Sequence, residues 1–206
     1  MNMQSNKTIR FSLRRFHHRG GFTLIETVVA ILILSLSIGA LLTLTAGGFF
    51  SVRYARNQIV ADNLVQESLE YIRNSRDSAK LAGTPWATWL GTLNVNASGV
   101  SQGVSPLTSG CYSAQGCIVD PYASVLVKAC SGTCPYVAFY SNQSFYGYAG
   151  ASYPFGVASS VPTTYVRKIT AQLSDSNNQL TITASITWLN GTSPKTVTQS
   201  LLLTNW

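Results

Sequence analysis

The sequence predicts an α+β fold: a long N-terminal α-helix, apolar in its first half and amphipathic in its second, packed on a C-terminal antiparallel β-sheet domain. Three observations predict it. Residues 22–50 hold a single charge, Glu26. Apolar residues then recur at three- and four-residue steps to about residue 79. Between residues 165 and 203, apolar and polar residues alternate with the period of two that marks a half-buried strand.

Composition narrows the class. The 206 residues suffice for one globular domain beside a long helix. A chain that is 46% hydrophobic and 10% charged is not disordered, because disorder requires low hydrophobicity and high charge. The net charge of +7 is unevenly placed. Lys7, Arg10, Arg14, Arg15 and Arg19 lie within residues 1–21, which hold no acid. Residues 22–206 therefore keep nine of the 14 basic residues against all seven acids, a balance of +2. Nucleic acid is accordingly not an expected partner.

Residues 1–21 are polar, basic and end in Gly20-Gly21. The 29 residues that follow, 22–50, make a helix of about 43 Å, longer than the ~30 Å hydrocarbon core of a membrane. Over residues 51–80 the pattern becomes amphipathic. Val52, Ala55 and Ile59 recur at helical steps, as do Ala61, Val65, Leu69 and Ile72. Glu70 with Arg73, and Arg73 with Asp77, have the spacing of helical ion pairs. Gly83, Thr84 and Pro85 stop the helix. The first half must be buried in lipid or protein, and the second half has one stripe to pack on a domain.

Residues 81–206 are the expected globular, β-rich head. Short β-prone runs occur at 125–128 and 137–140. The Tyr/Gly/Ser-rich stretch 141–160 has no period and reads as a long surface loop. Tyr165, Arg167, Ile169, Ala171 and Leu173 share one face of a strand, and Leu180, Ile182, Ala184, Ile186 and Trp188 share a face of the next. Residues 197–203 form a third run. Turns at 174–178 and 190–194 join the three into a meander.

Cys111, Cys117, Cys130 and Cys134 form an even cluster beyond the apolar segment, which suggests two disulfides in an oxidising compartment. Three connectivities are possible, with the local pairing Cys111–Cys117 and Cys130–Cys134 preferred. Zinc is the rival reading, and the C-x5-C and C-x3-C spacings fit it poorly.

Function is carried by Gly20-Gly21-Phe22-Thr23-Leu24-Ile25-Glu26. An ordinary secretory signal places its small residues after the apolar core. Here they come before it, so a cut after Gly21 leaves the apolar helix on the mature chain. The stretch 21–44 resembles the N-terminal segment of type IV prepilins and pseudopilins, with the cleavage glycine, an aromatic first residue, Thr-Leu, and a glutamate four residues on. The resemblance implies a pilin-like fold, removal of residues 1–21 by a membrane prepilin peptidase, and N-methylation of Phe22. It also implies an assembly role for Glu26, paired with the new α-amine of a neighbouring subunit or of its own chain. Its partners would be other pilin subunits in a helical filament, an inner-membrane assembly platform, and membrane lipid before assembly. The precursor would be a single-pass protein of the cytoplasmic membrane, and the product an extracellular or periplasmic filament. Arg56-Asn57-Gln58, Gln66 to Glu70 and Arg76-Asp77-Ser78 look like the helix of minor pilins of the PilV kind.

The physics agrees with that role for Glu26. A charge at the bilayer centre costs ~2.5–3.5 kcal/mol or more, so an acid in an apolar helix usually marks function. A position in the first turn also suits the helix dipole. The plain alternative is a tolerated carboxylate near the end of an anchor.

Other features have modest readings. Arg14-Arg15 is generic leader charge that holds this end in the cytoplasm. His17 and His18, the chain's two histidines, leave with the leader, so His-based triads and His-ligated metals are not expected. Gly39, Gly47 and Gly48 each weaken the helix by about 1 kcal/mol and suit close packing or bending. Trp86 and Trp89 are expected at the junction of helix and head, with a ligand-stacking surface as the alternative. Asp120 reads as a turn residue before Pro121 rather than a calcium ligand. No catalytic group, cofactor or metal is expected, so the chain reads as the substrate of an enzyme and not as an enzyme. The alternatives are a pseudopilin of a type II-like secretion system, and a tip adhesin or DNA-capture subunit using loop 141–160. Arg167, Lys168, Lys128 and Lys195 are too dispersed to favour DNA.

Overall fold

The computed structural model describes residues 21–155, 159–174 and 176–205. The chain divides into two units, Met1–Phe49 and Phe50–Trp206. Helix α1 runs Leu24–Leu81 and is followed by a short helix α2, Trp86–Gly91. Seven strands then appear in chain order: β1 Cys117–Val119, β2 Val127–Ala129, β3 Tyr136–Tyr140, β4 Phe145–Tyr148, β5 Val161–Leu173, β6 Gln179–Asn190 and β7 Ser193–Thr204. This is the expected arrangement of one long helix and a C-terminal antiparallel sheet.

The end of α1 shows how local sequence sets a boundary. Gly83 has φ +73°. Its N–H donates to the Lys80 carbonyl (3.0 Å), and Thr84 N–H donates to Ala79 O (2.9 Å). That pair of bonds is the Schellman arrangement, which satisfies carbonyls the helix leaves open. Pro85 then prevents continuation.

Strand β5 is the hub of the sheet. Val166 pairs with both Tyr136 and Thr187, and Ile169 with both Cys117 and Ala184. Strands β3 and β1 therefore lie end to end along one edge of β5, and β6 occupies the other. Strand β7 pairs along the whole of β6. The β6–β7 turn is tighter than expected, because Asn190 faces Ser193 directly. Gly191 (φ +65°) takes the first of its two central positions, where a type II′ hairpin calls for glycine.

One face of the meander is core. Ile169, Ala171, Leu180, Ile182, Ala184, Ile186, Trp188 and Leu203 are buried, and so are Ala61, Leu64, Val65, Leu69 and Ile72 of α1. Each fully buried aliphatic side chain contributes about 1.5–3 kcal/mol. The helical stripe is narrower than expected. Val52 and Ile59 are 67% and 61% exposed, so burial begins at Val60 and Ala61.

Arg167 also lies on the buried face, at 1% exposure. Its Nη1 donates to Val119 O (2.8 Å) and its Nη2 to Glu67 Oε2 (2.7 Å). One buried guanidinium thus ties α1, β1 and β5 together. Burial pushes the Glu67 carboxyl above its ordinary pKa, while Arg167 pulls against that shift. On the helix surface, Arg73 pairs with Glu70 at 2.7 Å as expected. Asp77 instead meets its neighbour Arg76 (2.6 Å).

The stretch 141–160 corrects the sequence reading. Within it, β4 pairs with β3. Phe145 and Tyr153 are buried with Tyr140, whose ring stacks on Phe145 at 4.8 Å with an interplanar angle of 7°. Tyr153 Oη donates to Asp120 Oδ2 (2.8 Å) and accepts Tyr148 N–H (2.8 Å). Burial pushes the Tyr148 phenol up to about 12. These aromatics build a second core, so the stretch is anchored by β4 and Tyr153, while residues 141–144, 149, 150, 152, 154, 155 and 159 stay exposed as the sequence suggests. Residues 156–158 lie outside the described residues.

Glu67→Ala is expected to lower the stability of the detergent-solubilised protein by roughly 3 kcal/mol, because it strips the partner from a buried guanidinium. Glu70→Ala, which breaks an exposed pair, should cost about 0.5 kcal/mol or less. Urea midpoints for the two variants, taken at constant slope, check the contrast.

Candidate processing and assembly segment

Gly21, Phe22 and Thr23 precede the first helical residue. The basic leader and Gly20 lie outside the described residues. Gly21 is exposed, and Phe22 is 81% exposed. The Gly21–Phe22 peptide bond therefore lies in exposed, non-helical backbone. A Cβ built on Gly21 meets nothing within 4 Å. Nothing in the packing of the described residues requires glycine there, so a size limit at this position would have to come from whatever acts on the bond.

Thr23 starts the helix. Its backbone carbonyl accepts the N–H groups of Glu26 (3.0 Å) and Thr27 (3.2 Å). Its side-chain Oγ1 accepts Glu26 N–H at 3.3 Å. Thr23 and Glu26 stand in the Thr-x-x-Glu spacing of a capping box, a signal the sequence reading missed. Glu26 is the acid of the first turn, where the helix dipole is worth ~0.3–1 kcal/mol to a carboxylate. Among the described residues Glu26 makes no ion pair. The precursor has no free amine at Phe22, and a cut after Gly21 would create one.

The helix beyond Glu26 is apolar on every face. An 18-residue window reaches a mean hydropathy of 2.5 with none of it buried. Leu24, Leu32, Leu34, Leu41 and Leu44 are all exposed. The hydroxyls of this stretch are turned inward on the helix itself. Thr27 donates to Leu24 O (2.9 Å), Ser35 to Leu32 O (2.9 Å), Ser37 to Ile33 O (2.8 Å), Thr43 to Gly39 O (3.0 Å) and Thr45 to Leu42 O (2.9 Å). Such back-bonding lets a polar side chain sit in an apolar medium without an orphaned donor.

Residues 16–42 match the prokaryotic N-terminal methylation motif. This is the class III leader motif of type IV pilins; it indicates a type IV pilin-like or pseudopilin precursor and implies processing by prepilin peptidase. It points to a structural protein and fits a precursor anchored in the inner membrane. No curated protein and no solved structure matches the chain.

The remaining candidates belong to the head. Cys111 is bonded to Cys117 and Cys130 to Cys134. Both bridges flank the β1–β2 pair, in which Cys117 faces Ala129. Trp89 is buried and its Nε1 donates to Ser75 Oγ (3.2 Å), and Trp86 Nε1 donates to Asn177 O (2.7 Å). Trp89 thus ties α2 to α1 and Trp86 ties it to the β5–β6 turn, as a junction of helix and head requires. Asp120 is buried; one oxygen accepts Tyr122 N–H (3.1 Å) and the other the Tyr153 hydroxyl. Its lone pairs serve a turn and a core tyrosine. Arg167 is removed from any DNA-contact surface by its burial, and Lys168 donates to Ala114 O (2.8 Å). Sequence reasoning also missed Asn94. It is buried, its Nδ2 donates to Gly103 O (3.0 Å) and Pro106 O (3.1 Å), and its Oδ1 accepts Ser109 N–H (2.9 Å).

Trypsin provides a direct check of the bridges, since Lys128 lies between them. Without reduction, peptide 81–128 should appear separate from peptide 129–167, each with one internal bridge. Either crossed pairing would leave the two peptides linked in the mass spectrum.

Proposed function

We propose that the chain is a structural subunit, of the minor kind, of a type IV pilus-like filament. It is cut after Gly21, methylated on Phe22, and assembled through residues 22–50. The observation that carries this reading is an all-round apolar, unburied helix that begins inside the methylation motif, directly after Gly21-Phe22-Thr23. Such a helix has to be covered, first by lipid and then by the helices of other subunits. The helix motifs at Arg56-Asn57-Gln58, Gln66 to Glu70 and Arg76-Asp77-Ser78 support the minor-subunit assignment.

Glu26 is the register device. Cleavage puts an ammonium four residues before its carboxylate, and in an apolar filament core each charge needs the other. Pairing with the amine of an adjacent subunit would fix the axial step between neighbours. The capping bond from Thr23 keeps Glu26 in the first turn while this happens. The head of residues 51–206, with its two bridges and buried Arg167–Glu67 pair, faces outward as a rigid cargo.

The mass of the N-terminal peptide tests the processing step. Methylated Phe22 is expected, and an intact leader in cells with active prepilin peptidase would refute it. Glu26→Ala should be cleaved normally and enter filaments at a level reduced by about tenfold or more, as expected for loss of a buried charge pair. Quantifying the subunit in sheared filaments against the membrane fraction reads this, and normal incorporation counts against the pairing.

A further inference from the structure

Arg53 and Arg56 have no part in the processing segment or in the core. They lie three residues apart on α1, on one helix face. With Asn57, Val60, Tyr146 and Tyr165 they line a cleft that contains no carboxylate. Neither guanidinium is in an ion pair among the described residues. The opposite wall is fixed. Tyr165 is buried, and its hydroxyl donates to Asn57 Oδ1 (3.2 Å). Tyr146 is held by its ring contact with Phe139 (5.0 Å). Two forked cations beside two positioned phenols form a receptor for an anion with several oxygens, and guanidinium forks match phosphate in particular.

Position along the chain indicates where that anion comes from. Residues 27–52 hold no charge, and Glu26 and Arg53 bracket them. A helical path from Glu26 to Arg53 is about 40 Å, close to the ~40–45 Å thickness of a bilayer with its headgroups. With Glu26 at the cytoplasmic face, Arg53 and Arg56 reach the opposite headgroup layer. Cations there run against the usual bias of basic residues toward the cytoplasm, and an anion of that layer would offset them. Tyrosines also favour this layer.

We propose that the Arg53–Arg56–Tyr165 cleft binds the phosphate of an anionic phospholipid in the outer leaflet of the membrane that holds the precursor. The proposal rests on the membrane stage of the function above. It adds a specific lipid site at the base of the head, occupied before assembly.

The test uses the full processed chain in detergent, offered phosphatidylglycerol and phosphatidylcholine in equal amounts and examined by native mass spectrometry. The wild type should retain phosphatidylglycerol preferentially. The double variant Arg53→Gln/Arg56→Gln should lose that preference by about tenfold or more. Lys195→Gln, on the edge strand β7, should retain it. Equal preference in wild type and double variant overturns the site. Inorganic phosphate bound as tightly as a short-chain phosphatidylglycerol assigns the cleft to a free anion and overturns the lipid. Dimerisation without lipid that disappears in the double variant assigns it to a second copy, with the same consequence. Circular dichroism of the double variant verifies that the fold persists. The N-terminal mass of the same samples separates the two ideas: methylated Phe22 with no lipid preference defeats only this inference, whereas an unprocessed chain defeats the reading beneath it.

Discussion

A helix with apolar side chains on every face has no stable place in water. The first half of α1 is such a helix, and its second half is not. From Val60 onward the apolar residues fall on one stripe, and the sheet covers that stripe with Ile169, Ile182, Ile186 and Trp188. The head is therefore built around a helix that it covers over only part of its length. The remainder awaits a different solvent. Membrane residence answers that requirement, and so would the leader removal and filament assembly proposed above.

The buried Arg167–Glu67 pair serves the covered part. Hydrophobic contact between a helix and a sheet tolerates sliding, because apolar packing has little directional preference. A guanidinium with one nitrogen on Val119 O and another on Glu67 has far less freedom. It sets the height of α1 against β5 and β1 together. The second aromatic core around Tyr140, Phe145 and Tyr153 joins this framework through Asp120, which follows Val119 directly.

Legibility in the sequence followed the range of the interactions. Helix α1, its stop at Gly83, and the β5–β6–β7 meander were readable because period and turn chemistry are local properties. So was the methylation motif over residues 16–42, where the spacing itself is the signal. The Thr23 cap was equally local and was overlooked. Arg167 stood in plain view in the apolar row of its strand, between Tyr165 and Ile169, and that placement is the mark of a buried charge. Its partner was not readable, since Glu67 and Glu70 both sit on the helix and only the tertiary fold selects one. Strand β4, inside the stretch 141–160, was missed for a related reason. Gly147 interrupts a short aromatic run, and the strand exists because β3 pairs with it. The stripe was placed too early because Val52 and Ile59 have helical spacing but no sheet opposite them.

The inward-turned hydroxyls of α1 have a consequence for energetics along the whole life of the chain. Thr27, Ser35, Ser37, Thr43 and Thr45 each bond to a carbonyl one turn back. These five hydroxyls are thus satisfied within the helix and ask nothing of their surroundings but greasiness. Exchanging acyl chains for the side chains of neighbours breaks no hydrogen bond on its surface and strands no donor. In the proposed assembly this stretch would pass between the two media with its hydrogen bonds intact, like a greased rod moved between sleeves, and the work of leaving the bilayer would concentrate at the two charged collars, Glu26 at one end and Arg53 with Arg56 at the other.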